Sequence, residues 1–492
     1  MRSFQTSTSV AKRFAEDRRG NFAILTGIVL TTVTMAVGMA VNTAQSYHVK
    51  SSLRSALDAA VTSTAYDITT GRIKPDDAQA NVEKFLNING RAVFSTQGEY
   101  TLLPVVVDTT ARTIAATAYA NVDLAFPFFG MEDPRVTIES AALYSDKQIE
   151  VAMMLDVTGS MAKSGNVNKI QDLKDAAENA VEELLKDQDP AKPRVRVALI
   201  PYASGVNTGD LSANVFFERK GDLDIPPAQG SAIIKAATGK TELPSYATYR
   251  KIVADAYPAP SGTKCASERK LLDGTADRSS DAPDTVRKNK SGEDYYAMVN
   301  SDNAMTAGGT SVCPAAPIIP LTADAGALLE SIGDFKASGY TGGAIGIQWT
   351  YYMLSSKWRD VIKDAGLGTG PSPANSKRLA KVAILMTDGQ FNTAYAGVSS
   401  DYNKQGNLAR SNAEAICANM RNDGIEIFTI GFDLNNPKMS ASERDAAKSV
   451  LKNCASKEPI GTKHYFEATT GEELDAAFQA IIANTEKIAL TK

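Results

Sequence analysis

The chain has 492 residues, enough for two to three domains with ample core. Its formal net charge of −4 carries no nucleic-acid signature, and no P-loop, no G-x-G-x-x-G fingerprint and no basic stripe with interleaved aromatics occurs. With His48 and His464 as the only histidines, the sequence argues against His-dependent hydrolase chemistry and His-rich metal sites. His464 falls in an expected strand, Lys463–Glu467, and reads as structural.

Residues 1–21 carry Arg2, Lys12, Arg13, Arg18 and Arg19 against Glu16 and Asp17. Phe22–Val41 follows without a charged residue. At 1.5 Å per residue such a run reaches about 30 Å, the thickness of one hydrocarbon core. The basic flank places residues 1–21 in the cytoplasm, makes 22–42 a single transmembrane helix, and puts everything after it outside. In a bacterial cell that means an inner-membrane protein with a periplasmic or surface-exposed C-terminal domain, where disulfides persist. A cleaved signal peptide ending near Gly38-Met39-Ala40 is the competing reading, but the apolar run is long for one. Cleavage after Gly20 of the prepilin type would ordinarily have Glu where this chain has Leu25.

Residues 43–148 read as a small α+β stem. Leu53, Leu57, Ala60 and Val61 recur at helical spacing, so the helix continues past the membrane. A second helix is expected over Pro75–Leu86, with Pro75 in the first turn. Strands are expected at Tyr100–Val107, Arg112–Leu124 and Arg135–Tyr144. The second alternates, with Ile114, Ala116, Ala118, Ala120, Val122 and Leu124 on one face. Phe126-Pro127-Phe128-Phe129 is an aromatic loop cluster that either plugs the stem core or faces a partner.

Residues 149–492 change rhythm. Val151–Leu155 is short and wholly apolar, the pattern of a parallel strand buried on both faces. It runs into Asp156-Val157-Thr158-Gly159-Ser160, at the strand edge where open α/β sheets bind ligands. Asp156, Thr158 and Ser160 offer hard oxygens, which suit Mg²⁺, Mn²⁺ or Ca²⁺ and not Zn²⁺. A helix is expected over Lys169–Lys186 and a buried strand over Val195–Tyr202. Residues 206–320, rich in Gly, Pro, Ser, Lys and Asp, then read as a long insertion, too long for a structureless loop. Helices at Asp324–Lys336 and Ile345–Leu354 bracket Ser338-Gly339-Tyr340-Thr341-Gly342-Gly343. Strand Val382–Met386 leads into Thr387-Asp388-Gly389. A helix at Ala409–Asn422, a strand at Ile425–Phe432, a helix at Ser440–Cys454, a strand at His464–Phe466 and a helix at Glu472–Thr485 complete the chain.

No C-x-x-C pair occurs, which argues against zinc and thioredoxin-like chemistry. Four cysteines allow three pairings. Cys265–Cys313 would brace the insertion, by roughly 3–4 kcal/mol on the chain-entropy account. Cys417 and Cys454 lie on helices that right-handed crossovers put on one face. Four unlinked thiols in a reducing compartment is the competing reading.

Two resemblances follow from these residues. The D-x-T-x-S run of Asp156, Thr158 and Ser160 resembles the metal-ion-dependent adhesion site of von Willebrand factor A domains, with Thr341 and Asp388 in the places of its two remaining residues. That resemblance implies a Rossmann-like, doubly wound, mostly parallel sheet over 149–492, interrupted by the insertion at 206–320. It also implies Mg²⁺ (or Mn²⁺ or Ca²⁺) held directly by Ser160 and Thr341, with Asp156 and Asp388 binding directly or through water. Thr158 stands where Ser is commoner. A partner's Asp or Glu would complete the coordination. The ending Glu472–Phe478 (EELDAAF) is similar to that of other A domains. Separately, Gly20–Ala65 resembles the N-terminal segment of TadE/TadG-like proteins of tight-adherence (Flp) pilus assembly, through Arg18-Arg19-Gly20-Asn21 and Leu53–Ala60; Asn42 stands where members often carry Asp.

The implied function is a membrane-anchored pilus-assembly component that binds proteins through a divalent ion. The alternative is a surface adhesin for a host or abiotic ligand. No group beside Asp156 reads as a nucleophile or general base, so no enzyme is expected; a metal-dependent phosphatase or nuclease is the remaining reading from another class.

Overall fold

The computed structural model describes residues 21–94, 100–126, 134–145, 147–186, 188, 193–215, 234–256, 264–271, 275–296, 313–373, 378–397, 402–458 and 462–491. The basic N-terminal flank and Pro127–Phe129 of the aromatic cluster therefore lie outside the described residues. The chain forms two compact units, Met1–Ser145 and Asp146–Lys492.

The first unit is built on one helix, α1 (Asn21–Thr69), of 49 residues. Its first half exposes Ile24, Leu25, Ile28, Val29, Leu30, Val33, Val37 and Met39, and it is long and apolar enough to cross a membrane. Thr31, Thr32, Thr34 and Thr43 donate their hydroxyls to carbonyls four residues back at 2.7 Å, which spares them an unmet donor in an apolar medium. The second half buries Val49, Leu53, Leu57, Ala60, Val61 and Ala65. That stripe packs with α2 (Ala78–Phe94) and an antiparallel sheet of β1 (Tyr100–Leu102), β2 (Val106–Asp108), β3 (Thr113–Asn121) and β4 (Arg135–Leu143). β3 is central, and Ile114, Ala116, Ala118 and Ala120 face inward as their alternation predicts. Helix α2 starts after a 3₁₀ turn at Pro75–Asp77 and runs past Leu86, beyond its expected end. Asn42 pairs with the backbone of Phe126 in both directions, donating to its carbonyl at 2.8 Å and accepting its N–H at 3.2 Å. An aspartate could make only the second bond.

The second unit is organised by a sheet of mixed direction. Its parallel part runs β14 (Tyr465–Ala468), β13 (Glu426–Phe432), β12 (Leu379–Thr387), β5 (Gln148–Asp156), β6 (Val195–Tyr202). From β5 the chain goes first to β6 on one side and later to β12 on the other, so the strand order reverses between β5 and β12. Helices cover both faces. One core layer joins Val151, Met153 and Leu155 to α3 (Lys169–Leu185), α5 (Ala325–Gly333) and α9 (Gly471–Thr491). The other joins Ala152 and Met154 to α6 (Gly343–Leu354), α7 (Tyr402–Asn422) and α8 (Ala441–Cys454). Both disulfides are formed, Cys265–Cys313 and Cys417–Cys454, the second between α7 and α8.

The 206–320 segment is less separate than its composition implies. β7 (Val206–Asn207) and β8 (Cys265–Ala266) extend the sheet beyond β6, and β11 (Ile319–Thr322) pairs antiparallel with β6. Strands of two to four residues carry too little periodicity to be read from sequence. The segment also holds α4 (Tyr246–Ala256) and a hairpin of β9 (Val286–Lys288) and β10 (Asp294–Tyr296). It is poor in apolar runs, and paired charges fill part of its interior. Arg269 is fully buried, 2.7 Å from Asp277, with its guanidinium over the Tyr352 ring. Asp281 binds Lys357 at 2.7 Å and also Arg287.

Burial works against the Asp281 charge, but those two cations outweigh it and hold the carboxyl down at about 2. A carboxylate depressed in the folded state contributes stability above its unfolded pKa and loses it as pH falls through the folded value. The wild-type chain is therefore expected to lose denaturant resistance between pH 4 and pH 2. Asp281→Asn should be less stable at pH 7 and should lack that part of the acid dependence. Urea melts at a series of pH values check this.

Candidate functional site

The reversal of strand order puts two carboxylates side by side. Asp156 ends β5, and Asp388 follows the last residue of β12. Both are buried, at 0 % and 2 % exposure. Buried charges of like sign cost free energy unless compensated, and the surroundings supply the compensation. Asp156 Oδ1 accepts the Thr158 N–H at 2.9 Å. Its Oδ2 accepts the Tyr202 hydroxyl at 2.8 Å, the Thr387 hydroxyl at 2.7 Å and the Asp388 N–H at 3.4 Å. Both oxygens of Asp156 are thus engaged. Burial first, and the Asp156 charge next, push the Tyr202 hydroxyl well above its usual range, so it stays a donor.

Asp388 is met differently. Ser160 donates its hydroxyl to Asp388 Oδ1 at 2.5 Å, and Thr158 Oγ1 lies 2.8 Å from Ser160 Oγ. Lys169, the first residue of α3, places its ammonium 3.0 Å from Asp388 Oδ2 and 2.9 Å from Asp433 Oδ2. Burial lowers the Lys169 pKa, but the two carboxylates outweigh it and hold the group above the ordinary lysine range. Burial, then the Asp156 charge, raises the Asp388 carboxyl to about 6 against the pull of Lys169 and Ser160. Asp433 follows β13 in the left-handed region at φ 50°, a conformation that Asp tolerates better than most residues.

Thr341 sits on a loop stitched to the same strand ends. Gly339 accepts the Gly159 N–H at 3.0 Å, Ser338 donates to Val157, Tyr340 donates to the Ser204 hydroxyl, and Gly342 donates to Ala203. The two glycines after Thr341 allow this approach. A Cβ on Gly342 would stand 2.8–2.9 Å from the carbonyls of Ser204 and Ala203, and one on Gly343 would stand 2.1 Å from the Phe391 ring. Thr341 is 5 % exposed, and among the described residues its hydroxyl makes no hydrogen bond.

The structure thus joins Asp156, Thr158, Ser160 and Asp388 in one hydrogen-bonded cluster. It brings the Thr341 loop against that cluster, while among the described residues the Thr341 side chain makes no hydrogen bond to it. Among the described residues no three His, Cys, Asp or Glu side chains converge as a metal cage. The candidate set has two carboxylates and relies on hydroxyls for the rest. That donor chemistry fits a hard divalent cation. Sequence reasoning missed Lys169, Tyr202, Thr387, Asp433 and Asn392, whose Oδ1 accepts the Thr341 N–H at 3.1 Å. Lys169 left a signal: a lysine at the first position of a helix opposes the helix dipole and calls for an anionic partner. His464 is buried, 2.7 Å from Glu426 and stacked on Phe428, a structural placement.

Comparison with known proteins adds the following. Residues 20–67 match the Tad family model, described as Flp pilus-assembly TadE/G-like. No curated protein matches the sequence. Similar solved structures include the vWF domain of the type V pili tip protein Mfa5 from Porphyromonas gingivalis, at 13 % identity and TM-score 0.36, covering 70 % of this chain and 97 % of that one. The pilus adhesin SpaC from Lactobacillus rhamnosus GG gives 11 % and 0.33, over 79 % of this chain and 35 % of that one. A variant of the PilB minor pilin from Streptococcus sanguinis gives 10 % and 0.33, over 80 % and 79 %.

The ion pairs of Lys169 carry a direct consequence. Lys169→Met leaves Asp388 and Asp433 without their cation, and breaking a buried pair costs roughly 3 kcal/mol. Urea unfolding without added divalent ions should show that loss. Gly343→Ala should also destabilise the unit, by about 1–3 kcal/mol, through displacement of Phe391.

Proposed function

We propose that this chain is a membrane-anchored, non-enzymatic component of a tight-adherence (Flp) pilus system that binds protein partners at a divalent-cation site. The observation that carries the site is the convergence of Thr158, Ser160 and Asp388 oxygens at the edge where β5 and β12 end. The match over residues 20–67 and the exposed apolar half of α1 support the pilus and anchor parts of the reading. On this reading 149–492 is a doubly wound von Willebrand factor A domain that carries the 206–320 segment. The anchor 22–42 crosses the bacterial inner membrane with its N-terminus in the cytoplasm.

Ser160, Thr341 and Asp388 would hold Mg²⁺, Mn²⁺ or Ca²⁺, with Thr158 and Asp156 setting their positions. The ion would supply an exchangeable coordination position that a partner carboxylate can take. The chain's own residues do the rest. Tyr202 and Thr387 fix Asp156 so that it orients the Thr158–Ser160 turn through the Thr158 N–H. Lys169 balances the charge of Asp388 when no ion is held.

Ligand that binds only the native state raises its melting temperature with concentration. The full chain in detergent should show a saturable rise with at least one of the three ions over chelator, and Ser160→Ala should abolish it. No rise with any ion, or an equal rise in Ser160→Ala, contradicts the site. In cells, loss of the protein should abolish surface pili; intact pili with lost adhesion would favour the adhesin alternative instead.

A further inference from the structure

The 206–320 segment reaches the loops of the candidate site through a buried side chain, Glu268. Glu268 lies three residues past Cys265, which is held both by the disulfide to Cys313 and by the pairing of β8 with β7. Its carboxylate is 4 % exposed. One oxygen accepts the N–H groups of Tyr395 at 2.6 Å and Ala396 at 2.8 Å, and the other accepts Asn412 Nδ2 at 2.9 Å. Asn412 is itself held by the Arg278 guanidinium at 2.7 and 3.0 Å, another contact from the same segment onto α7.

Tyr395 and Ala396 belong to the loop that follows Asp388, and the near end of that loop grips Thr341. Asn392 Oδ1 accepts the Thr341 N–H at 3.1 Å, while the N–H groups of Asn392 and Thr393 donate to the Thr341 carbonyl at 3.1 and 3.3 Å. Thr393 Oγ1 donates to Asn392 Oδ1 at 2.8 Å and fixes that side chain. The loop is thus tied at one end to Glu268 and at the other to Thr341. An acceptor taking two consecutive backbone N–H groups has no replacement in a buried setting, so its loss frees the loop.

We propose that the disulfide-closed 206–320 segment is a clasp that holds the Thr341 loop in register, so that the candidate ion site is complete only in the oxidised chain. The inference rests on the ion-site reading and adds its control: the site matures when Cys265 and Cys313 join. Glu268 is a positioning residue, acting on Thr341 through the 392–396 loop.

The test uses the full chain in detergent, with Mn²⁺ as the probe and two readouts. Mn²⁺ affinity comes from titration calorimetry, and loop order from hydrogen–deuterium exchange over 338–343 and 389–397. Glu268→Ala, which removes the acceptor, and separately Cys265→Ser with Cys313→Ser, should weaken Mn²⁺ binding at least tenfold and raise exchange in both loops. Glu293→Ala, the same truncation of an exposed carboxylate in the same segment, serves as the control and should do neither. Mn²⁺ affinity within twofold of wild type and unchanged exchange in Glu268→Ala would overturn the clasp. If wild type binds no Mn²⁺, the ion-site reading fails, and exchange alone decides: a rise confined to the two loops upholds the clasp, and no rise overturns it. If the double cysteine variant fails to fold, Glu268→Ala carries the decision.

Discussion

Two buried carboxylates on adjacent strand ends are the constraint to which the second unit answers. Nothing apolar can neutralise Asp156 and Asp388, and the fold brings them within one residue's reach because β5 and β12 are hydrogen-bonded neighbours. Each receives a different solution. Asp156 is saturated by donors from β6, β12 and its own turn, so it acts as a fixed post. Asp388 is balanced by one ammonium, Lys169, which it shares with Asp433, and one hydroxyl, Ser160. A group held by a displaceable cation is one at which another cation can bind. A group already holding four hydrogen bonds positions its neighbours instead.

The remainder of the unit reads as support for that arrangement. Gly342 and Gly343 let the Thr341 loop lie against the carbonyls of β6 and the Phe391 ring. Asp433 accepts a left-handed backbone and gives Lys169 its second partner. The 206–320 segment joins the same network through Glu268, which gives a polar, thinly cored stretch a place in the site's architecture. In the first unit a single helix does two jobs: its exposed apolar half is fit for a membrane, and its second half serves as the core of a small α+β body.

How much of this the sequence disclosed depends on the range of the interaction. Val195–Tyr202 has the bounds its apolar run predicts, and Ile114–Ala120 alternates as read, because burial on two faces or one is written in consecutive residues. Asp156, Thr158 and Ser160 were legible because one turn carries all three. Lys169 was not singled out, since its partner Asp388 is 219 positions away and no local pattern records such a pairing. β7, β8 and β11 escaped for a different reason: two to four residues cannot express a period. Glu268 had no local signal, because its partners are backbone N–H groups that every sequence possesses.

The central claim is that Ser160 and Asp388 make a divalent-cation site that Lys169 otherwise balances. Its most direct measurement is an anomalous difference map from crystals of the protein soaked in Mn²⁺. The account predicts one strong peak about 2 Å from Ser160 Oγ and within reach of Asp388. An occupied manganese site elsewhere, with the Lys169 ammonium still seated on Asp388 at saturating Mn²⁺, would contradict it.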